Sequence, residues 1–137
     1  METKIYERLI SLGYAIEHEV GEGGTIYRPT PTDLMLITFI SDKVTNNIKS
    51  ECNIDVIPTE IESLVIDNIV GEFLLNKKSL GTLVIDDIDL SDAVKSITEG
   101  DTTIQFAEGS SQSEMLDTLI TYLIRPIDLS EYRRIRW

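Results

Sequence analysis

The sequence predicts a mainly α-helical protein, a small helical bundle with a short extended arm or β-hairpin near residues 100–110. Two long segments place apolar residues at helical spacing between clear start and stop signals, and 137 residues suit one hydrophobic core. Apolar residues make up 42% of the chain and charged residues 26%, a globular balance. We therefore expect one domain over 1–137, comprising an N-terminal helix and glycine-rich loop (1–29), a bundle with the arm (30–124) and an extended C-terminal tail (125–137).

The first long helix is predicted to begin after Thr30 and to run to about Ser50. Thr30 can cap it, Pro31 suits its first position, and Asp33 lies three residues past the cap, close to a capping-box arrangement. One face is apolar at spacings of three and four, and the other is polar. The expected buried positions are Leu34, Ile37, Ile40, Val44 and Ile48. The expected solvent-facing positions are Asp42, Lys43, Asn46 and Lys49.

The second long helix is predicted to open at Pro58 and to end at Gly81. A proline and Glu60 in the first turn, with Lys77 and Lys78 in the last turn, match the positional preferences of helix ends and the helix dipole. The expected apolar face consists of Ile61, Leu64, Val65, Ile69, Phe73 and Leu74. This segment carries the strongest helical pattern of the chain.

The N-terminal segment is predicted to form a short helix followed by a loop. Its apolar residues from Ile5 to Ile16 recur near the helical period, and Gly13 and Gly21 lie close to the expected stop. Three glycines within residues 21–24 indicate a loop of high backbone freedom or a tight turn. A phosphate-binding loop would need a lysine and a preceding strand, so a plain loop is the expectation.

The last third of the chain is predicted to alternate short elements. A modest helix is expected over residues 89–97, followed by a turn at 98–101. Residues 102–106 then alternate polar and apolar side chains, which is typical of a brief extended arm. Ser113 is expected to cap a leucine-rich helix that ends shortly before Pro126.

Charge and targeting signals limit the classes of function. The chain has 24 acidic and 12 basic residues and a net charge of −12, which argues against wrapping nucleic acid through phosphate contacts. Such an acidic surface either repels phosphates, so that DNA moves along it without binding, or serves only to keep the protein soluble. No signal peptide or transmembrane stretch is recognisable, so we expect a cytosolic protein with no membrane role.

Catalysis and metal binding are not expected. The only histidine, His18, lies between Glu17 and Glu19, where the sequence predicts a solvated helix end. The only cysteine, Cys52, cannot form an intrachain disulfide, and one cysteine with one histidine cannot form a zinc site. The acids at 86–89 lack the spacing of a calcium loop and read as a solvated helix start. We therefore predict a non-enzyme with no catalytic residue, metal or cofactor.

The order of these features resembles the head-to-tail connector, or adaptor, family of tailed bacteriophages. The likeness rests on the Ser96–Phe106 stretch, which ends in Gly-Asp-Thr-Thr-Ile-Gln-Phe, and on the basic-aromatic end Tyr-Arg-Arg-Ile-Arg-Trp at 132–137. It covers roughly residues 30–137, whereas 1–29 is less typical. The resemblance implies a structural virion protein at the neck, assembled in the host cytoplasm. It also implies a homo-oligomeric ring, typically of twelve copies, beneath the portal protein. That ring would extend the DNA channel, through which DNA passes without sequence-specific binding, and would bind a downstream neck or tail-completion protein.

Two segments are the candidate docking elements of such an assembly. Arginine and tryptophan are enriched among interface hot spots, and the arginines at the end of an acidic chain segregate its charge. The expected portal-docking residues are Tyr132, Arg133, Arg134, Ile135, Arg136 and Trp137. The expected inter-subunit arm, able to add a strand to a neighbour, is Asp101, Thr102, Thr103, Ile104, Gln105 and Phe106. Alternatively, the end packs back on its own bundle and the arm forms a local hairpin.

A second hypothesis from another class stays open. The acidic charge also fits a cytosolic helical module that regulates a basic protein partner. Such a module would be a stable monomer or dimer and would bind with steep salt dependence.

Overall fold

The computed structural model of the protein describes residues 2–80 and 112–132. These residues form four α-helices, a short 3-10 helix and a two-stranded antiparallel hairpin, which confirms the mainly α fold class. In chain order the elements are α1 (Glu2–Ser11), β1 (Glu17–Gly21), β2 (Gly24–Arg28), α2 (Pro31–Cys52), the 3-10 helix (Thr59–Ile61), α3 (Glu62–Ser79) and α4 (Gln112–Leu123). The expected helix at 89–97, the arm at 101–106 and residues 133–137 lie outside the described residues.

Helix α3 is the centre of the bundle, because α1, α2 and α4 all pack against it. The sequence indicated one apolar face on this helix, but Ile66 and Val70, outside that face, are also buried. Phe73 is completely inaccessible to solvent, and its edge meets the ring of Tyr14 at a centroid distance of 5.4 Å. Burial of such a side chain contributes about 1.5–3 kcal/mol to folding. A helix surrounded on several sides needs apolar residues around most of its circumference.

Helix α2 begins at the residue that its sequence signals predict and ends slightly later than expected. Thr30 Oγ1 accepts a hydrogen bond from the Asp33 amide at 3.2 Å, which confirms the predicted cap. At the other end, Asn53 adopts a left-handed conformation with φ of 54°, and its amide donates to the carbonyls of Lys49 and Ser50. The helix therefore extends two residues beyond the expected end. One predicted core position is wrong, since Leu34 is 40% exposed while neighbouring Asp33 is buried at 5%.

The N-terminal region contains a β-hairpin where the sequence indicated a plain loop. Helix α1 ends at Ser11, and Gly13 takes a positive φ of 86° as the chain leaves the helix. Strands β1 and β2 then pair antiparallel, with Gly21 opposite Gly24 across a two-residue turn. Of the two alternatives for residues 21–24, a flexible loop or a tight turn, the structure contains the tight turn. Gly24 has a positive φ of 117°, which glycine adopts without steric cost. His18 consequently lies on an exposed strand rather than at a frayed helix end.

Helix α4 packs across α3 at Gly71, where the two backbones approach closely. A Cβ atom at Gly71 would lie 2.8 Å from Leu123 Cβ and 2.6 Å from Ile124 Cγ2. The prediction that Ser113 caps this helix is wrong, because the helix already includes Gln112 and so Ser113 lies within it. Its apolar face, Leu116, Leu119, Ile120 and Leu123, is buried in the common core.

Substitution of Gly71 with alanine is expected to lower the free energy of unfolding by about 1–3 kcal/mol, because the added methyl group overpacks the α3–α4 crossing. The higher helix propensity of alanine, about 1 kcal/mol, offsets only part of this cost. Urea unfolding monitored by circular dichroism measures the difference. Gly23→Ala is the matched control, since no atom lies within 4 Å of the added carbon. A Gly71 variant as stable as that control would contradict the close crossing.

Candidate functional site

Arg125 fixes the segment that leads from α4 toward the predicted docking residues. One guanidinium nitrogen lies 3.2 Å from Asp67 Oδ2, and the guanidinium carbon lies 4.2 Å from the centre of the Tyr122 ring. The Asn68 side chain donates to the Arg125 carbonyl at 3.2 Å, which also ties the backbone to α3. Sequence position groups Arg125 with the basic end of the chain, but the structure shows it engaged with the bundle.

The partner of Arg125, Asp67, is a buried carboxylate that joins three parts of the fold. Asp67 is 7% exposed, and its Oδ1 accepts a hydrogen bond from Arg8 Nε of α1 at 2.8 Å. Charge-assisted bonds of this kind are among the strongest in proteins, and a buried carboxylate requires them. One acidic side chain on α3 therefore holds both α1 and the segment after α4.

Asp33 forms a second buried carboxylate cluster at the other end of α3. The Tyr14 hydroxyl donates to Asp33 Oδ2 at 2.7 Å, and Lys77 Nζ lies 2.7 Å from Oδ1. The Lys77 side chain is only 13% exposed. Both carboxylate oxygens are therefore engaged by the protein itself, so this cluster joins α2, α3 and the turn after α1.

Tyr132 is the one predicted docking residue within the described part of the chain. Its ring is half-buried and packs against the core, and its amide donates to the Leu129 carbonyl at 3.0 Å in a tight turn. Partial burial, followed by the negative charges of Glu60, Glu131 and Asp128, raises the pKa of the Tyr132 hydroxyl. The other predicted residues, Arg133–Trp137, and the arm at 101–106 are outside the described residues.

Large apolar side chains project into solvent from α2 and from the hairpin. Met35 is 74% exposed and Phe39 66% exposed, and they lie one helical turn apart on the same face of α2. On the hairpin, Val20 is 77% exposed and Ile26 is 58% exposed. The sequence did not single out any of these four residues. The available signal was the apolar pair at i and i+4 outside the predicted core stripe of α2.

The residues considered for chemistry occupy ordinary structural positions. His18 is exposed on β1, and its Nδ1 lies 3.0 Å from the Ile16 carbonyl oxygen. Cys52 is fully buried at the end of α2. Within residues 2–80 and 112–132, no group of three or more histidine, cysteine or carboxylate side chains is arranged to hold a metal ion. None of the helices in these ranges has the length and apolar character needed to cross a membrane.

Comparison with known proteins provides no relative for this chain. No family model, no curated protein and no solved structure matches it.

Proposed function

We propose that the chain is a structural virion protein of a tailed bacteriophage, a head-to-tail connector that assembles as a ring at the neck. The ring binds the portal protein on one side and a neck or tail-completion protein on the other, and it extends the channel through which DNA passes. The resemblance of residues 30–137 to connector proteins supplies this class. The chain acts through contacts with other proteins rather than through catalysis.

The exposed apolar pair on α2 is the observation that carries the proposal. Met35 and Phe39 expose most of their surface although neighbouring positions of the same helix, Ile37 and Ile40, are almost completely buried. An exposed apolar surface on a soluble domain commonly marks a contact with another protein. We assign this face to the contact between adjacent copies in the ring.

The distribution of charge supports a role around a DNA channel. Within the described residues, ion pairs join Lys4 to Glu62, Arg28 to Glu19, Lys43 to Glu72, Lys77 to Asp33, Lys78 to Asp117, and both Arg8 and Arg125 to Asp67. These cations are partly neutralised by their carboxylates, while the whole chain carries a net charge of −12. A surface of this kind repels phosphates, so DNA can move along it without binding.

The ring is tested by changing its proposed contact in the particle. Met35→Ser combined with Phe39→Ser is expected to leave heads without tails, because each lost apolar contact costs about 1.5–3 kcal/mol, enough to weaken binding tenfold or more. Electron microscopy of particles made with the variant measures the proportion that carry tails. A cryo-electron reconstruction of wild-type particles should place the chain in a ring between portal and tail.

Leu80→Ser is the matched control, since it removes another largely exposed apolar side chain, 70% exposed, just after α3. It should leave tailed particles at the wild-type level. The connector proposal is wrong if purified particles lack the chain, or if the α2 double variant makes tailed particles as efficiently as the control.

The second candidate function is the acidic regulator of a basic protein. The ion pairs favour it because they partly neutralise the basic side chains, while the whole chain keeps a net charge of −12. It predicts that the chain is absent from particles and binds a basic protein with an affinity that falls steeply with salt. The same particle preparations therefore separate the two functions.

A further inference from the structure

A groove lies between the α2–α3 connection and the C-terminal turn. It has a volume of about 620 Å³ and is lined by residues 54–60 on one side and by Glu131 and Tyr132 on the other. Its lining combines apolar and acidic side chains. Val56 is 77% exposed and Ile57 is half-buried, so apolar surface is available for a ligand to cover.

The acidic side chains give the groove a negative potential. Glu60 and Glu131 are both exposed lining residues, and neither forms an ion pair with a cation of the described chain. Their charges contribute to the raised pKa of the Tyr132 hydroxyl, after the effect of its partial burial. A suitable ligand is therefore a short segment that is both cationic and apolar.

The residues that follow Tyr132 have this chemistry. Residues 133–137 read Arg-Arg-Ile-Arg-Trp, with three positive charges and two large apolar side chains. The planar guanidinium group of arginine donates paired hydrogen bonds to carboxylates, and the tryptophan side chain can cover a large apolar area. Five residues can span at most about 17 Å, and this segment begins at a residue that itself lines the groove. Covalent attachment by so short a connection gives an effective concentration on the order of millimolar.

We propose that the groove binds residues 133–137 of its own chain. The arginines pair with Glu60 and Glu131, and the apolar side chains cover Val56 and Ile57. The consequence for assembly rests on the proposed connector function. In the free subunit, residues 133–137 occupy the groove of their own chain. A portal-like partner can bind these residues only after they leave the groove. Portal docking is then held back until many subunits are presented together in a ring, where multivalent binding outweighs the intramolecular contact.

The single tryptophan of the chain, Trp137, reports this contact directly. In the full-length free protein, Trp137 emission is expected to be blue-shifted and protected from acrylamide quenching relative to the synthetic pentapeptide Arg-Arg-Ile-Arg-Trp. Glu60→Lys combined with Glu131→Lys should abolish this protection, and high salt should reduce it because the carboxylates of Glu60 and Glu131 are exposed and therefore screened. Val56→Lys provides a second groove variant at a position that is 77% exposed and lies outside the buried core.

Glu17→Lys combined with Glu22→Lys is the matched control, because it changes net charge equally at exposed hairpin positions and should retain the protection. Circular dichroism verifies that each variant is folded. Full quenching in the wild-type protein, or protection that survives both groove variants, overturns the proposal. Protection that grows with protein concentration over a hundredfold range also overturns it, since the occupant is then a second copy. These measurements use the free chain, so failure here leaves the connector function open, whereas particles that lack the chain would leave the groove contact intact.

Discussion

Substitution of Asp33 with alanine is expected to lower the free energy of unfolding by about 3–5 kcal/mol, the cost of breaking a buried ion pair. The change removes the carboxylate that accepts a hydrogen bond from the buried Tyr14 hydroxyl and that pairs with the Lys77 ammonium, whose side chain is only 13% exposed. Both groups then lose a partner in a place where water cannot fully replace it. Chemical unfolding at equilibrium measures the loss.

Asp42→Ala is the control for this prediction, because Asp42 is an exposed aspartate on the same helix. It is expected to change the free energy of unfolding by no more than about 0.5 kcal/mol. Addition of Lys77→Met to Asp33→Ala should recover part of the lost stability, since it removes the largely buried ammonium that has lost its contact with the Asp33 carboxylate. A loss at Asp33 no larger than at Asp42 would show that the cluster contributes little to the fold.

Asp67→Ala is expected to cost about 2–4 kcal/mol, somewhat less than the change at Asp33. Asp67 is 7% exposed and pairs with Arg8 and Arg125, but the two arginine side chains are 24% and 30% exposed. Each guanidinium can therefore recover some hydration when the carboxylate is lost. Because Asp67 joins α1 to the segment after α4, hydrogen exchange should also accelerate in both of these places.

Salt dependence gives this second prediction a sharper test. The carboxylate is buried, so about 1 M salt should reduce the stability difference between wild type and Asp67→Ala only slightly. Arg28→Ala, which breaks the exposed pair with Glu19, serves as the control and should cost about 0–1 kcal/mol. If salt removes the Asp67 effect, the pair behaves as a surface interaction and its structural role is refuted.

The long helices were the predictable part of the fold. Thr30 caps α2 as its side chain and the following proline indicated. Helix α3 begins at Glu62 rather than at the predicted start, Pro58, because residues 59–61 form a 3-10 helix. Caps and proline positions act over three or four residues, so a single chain segment contains all the information they need. Ser113 shows the limit of predicting helix starts from residue type. Serine occurs in the first turn of a helix as well as at the cap, and Ser113 lies inside α4.

The hairpin and the exposed face of α2 could not be assigned in the same way. Strands β1 and β2 expose almost all their residues, so they lack the buried-exposed alternation that identifies a strand. On α2, Leu34 and Asp33 differ from the expected pattern because Tyr14 and Lys77 converge on the carboxylate from distant parts of the chain. The candidate docking groove likewise combines residues 54–60 with Glu131 and Tyr132.

The sequence by itself determined the helical class, the bounds of the two long helices to within a few residues, the acidic charge and the basic-aromatic segment at 132–137. These properties depend on local spacing and composition. Only the tertiary structure decided that α3 is central, that Asp33 and Asp67 are buried, that Arg125 is held on the bundle, and that Met35 and Phe39 face solvent. Burial and ion pairing depend on which distant segments meet, and helical periodicity carries no information about that.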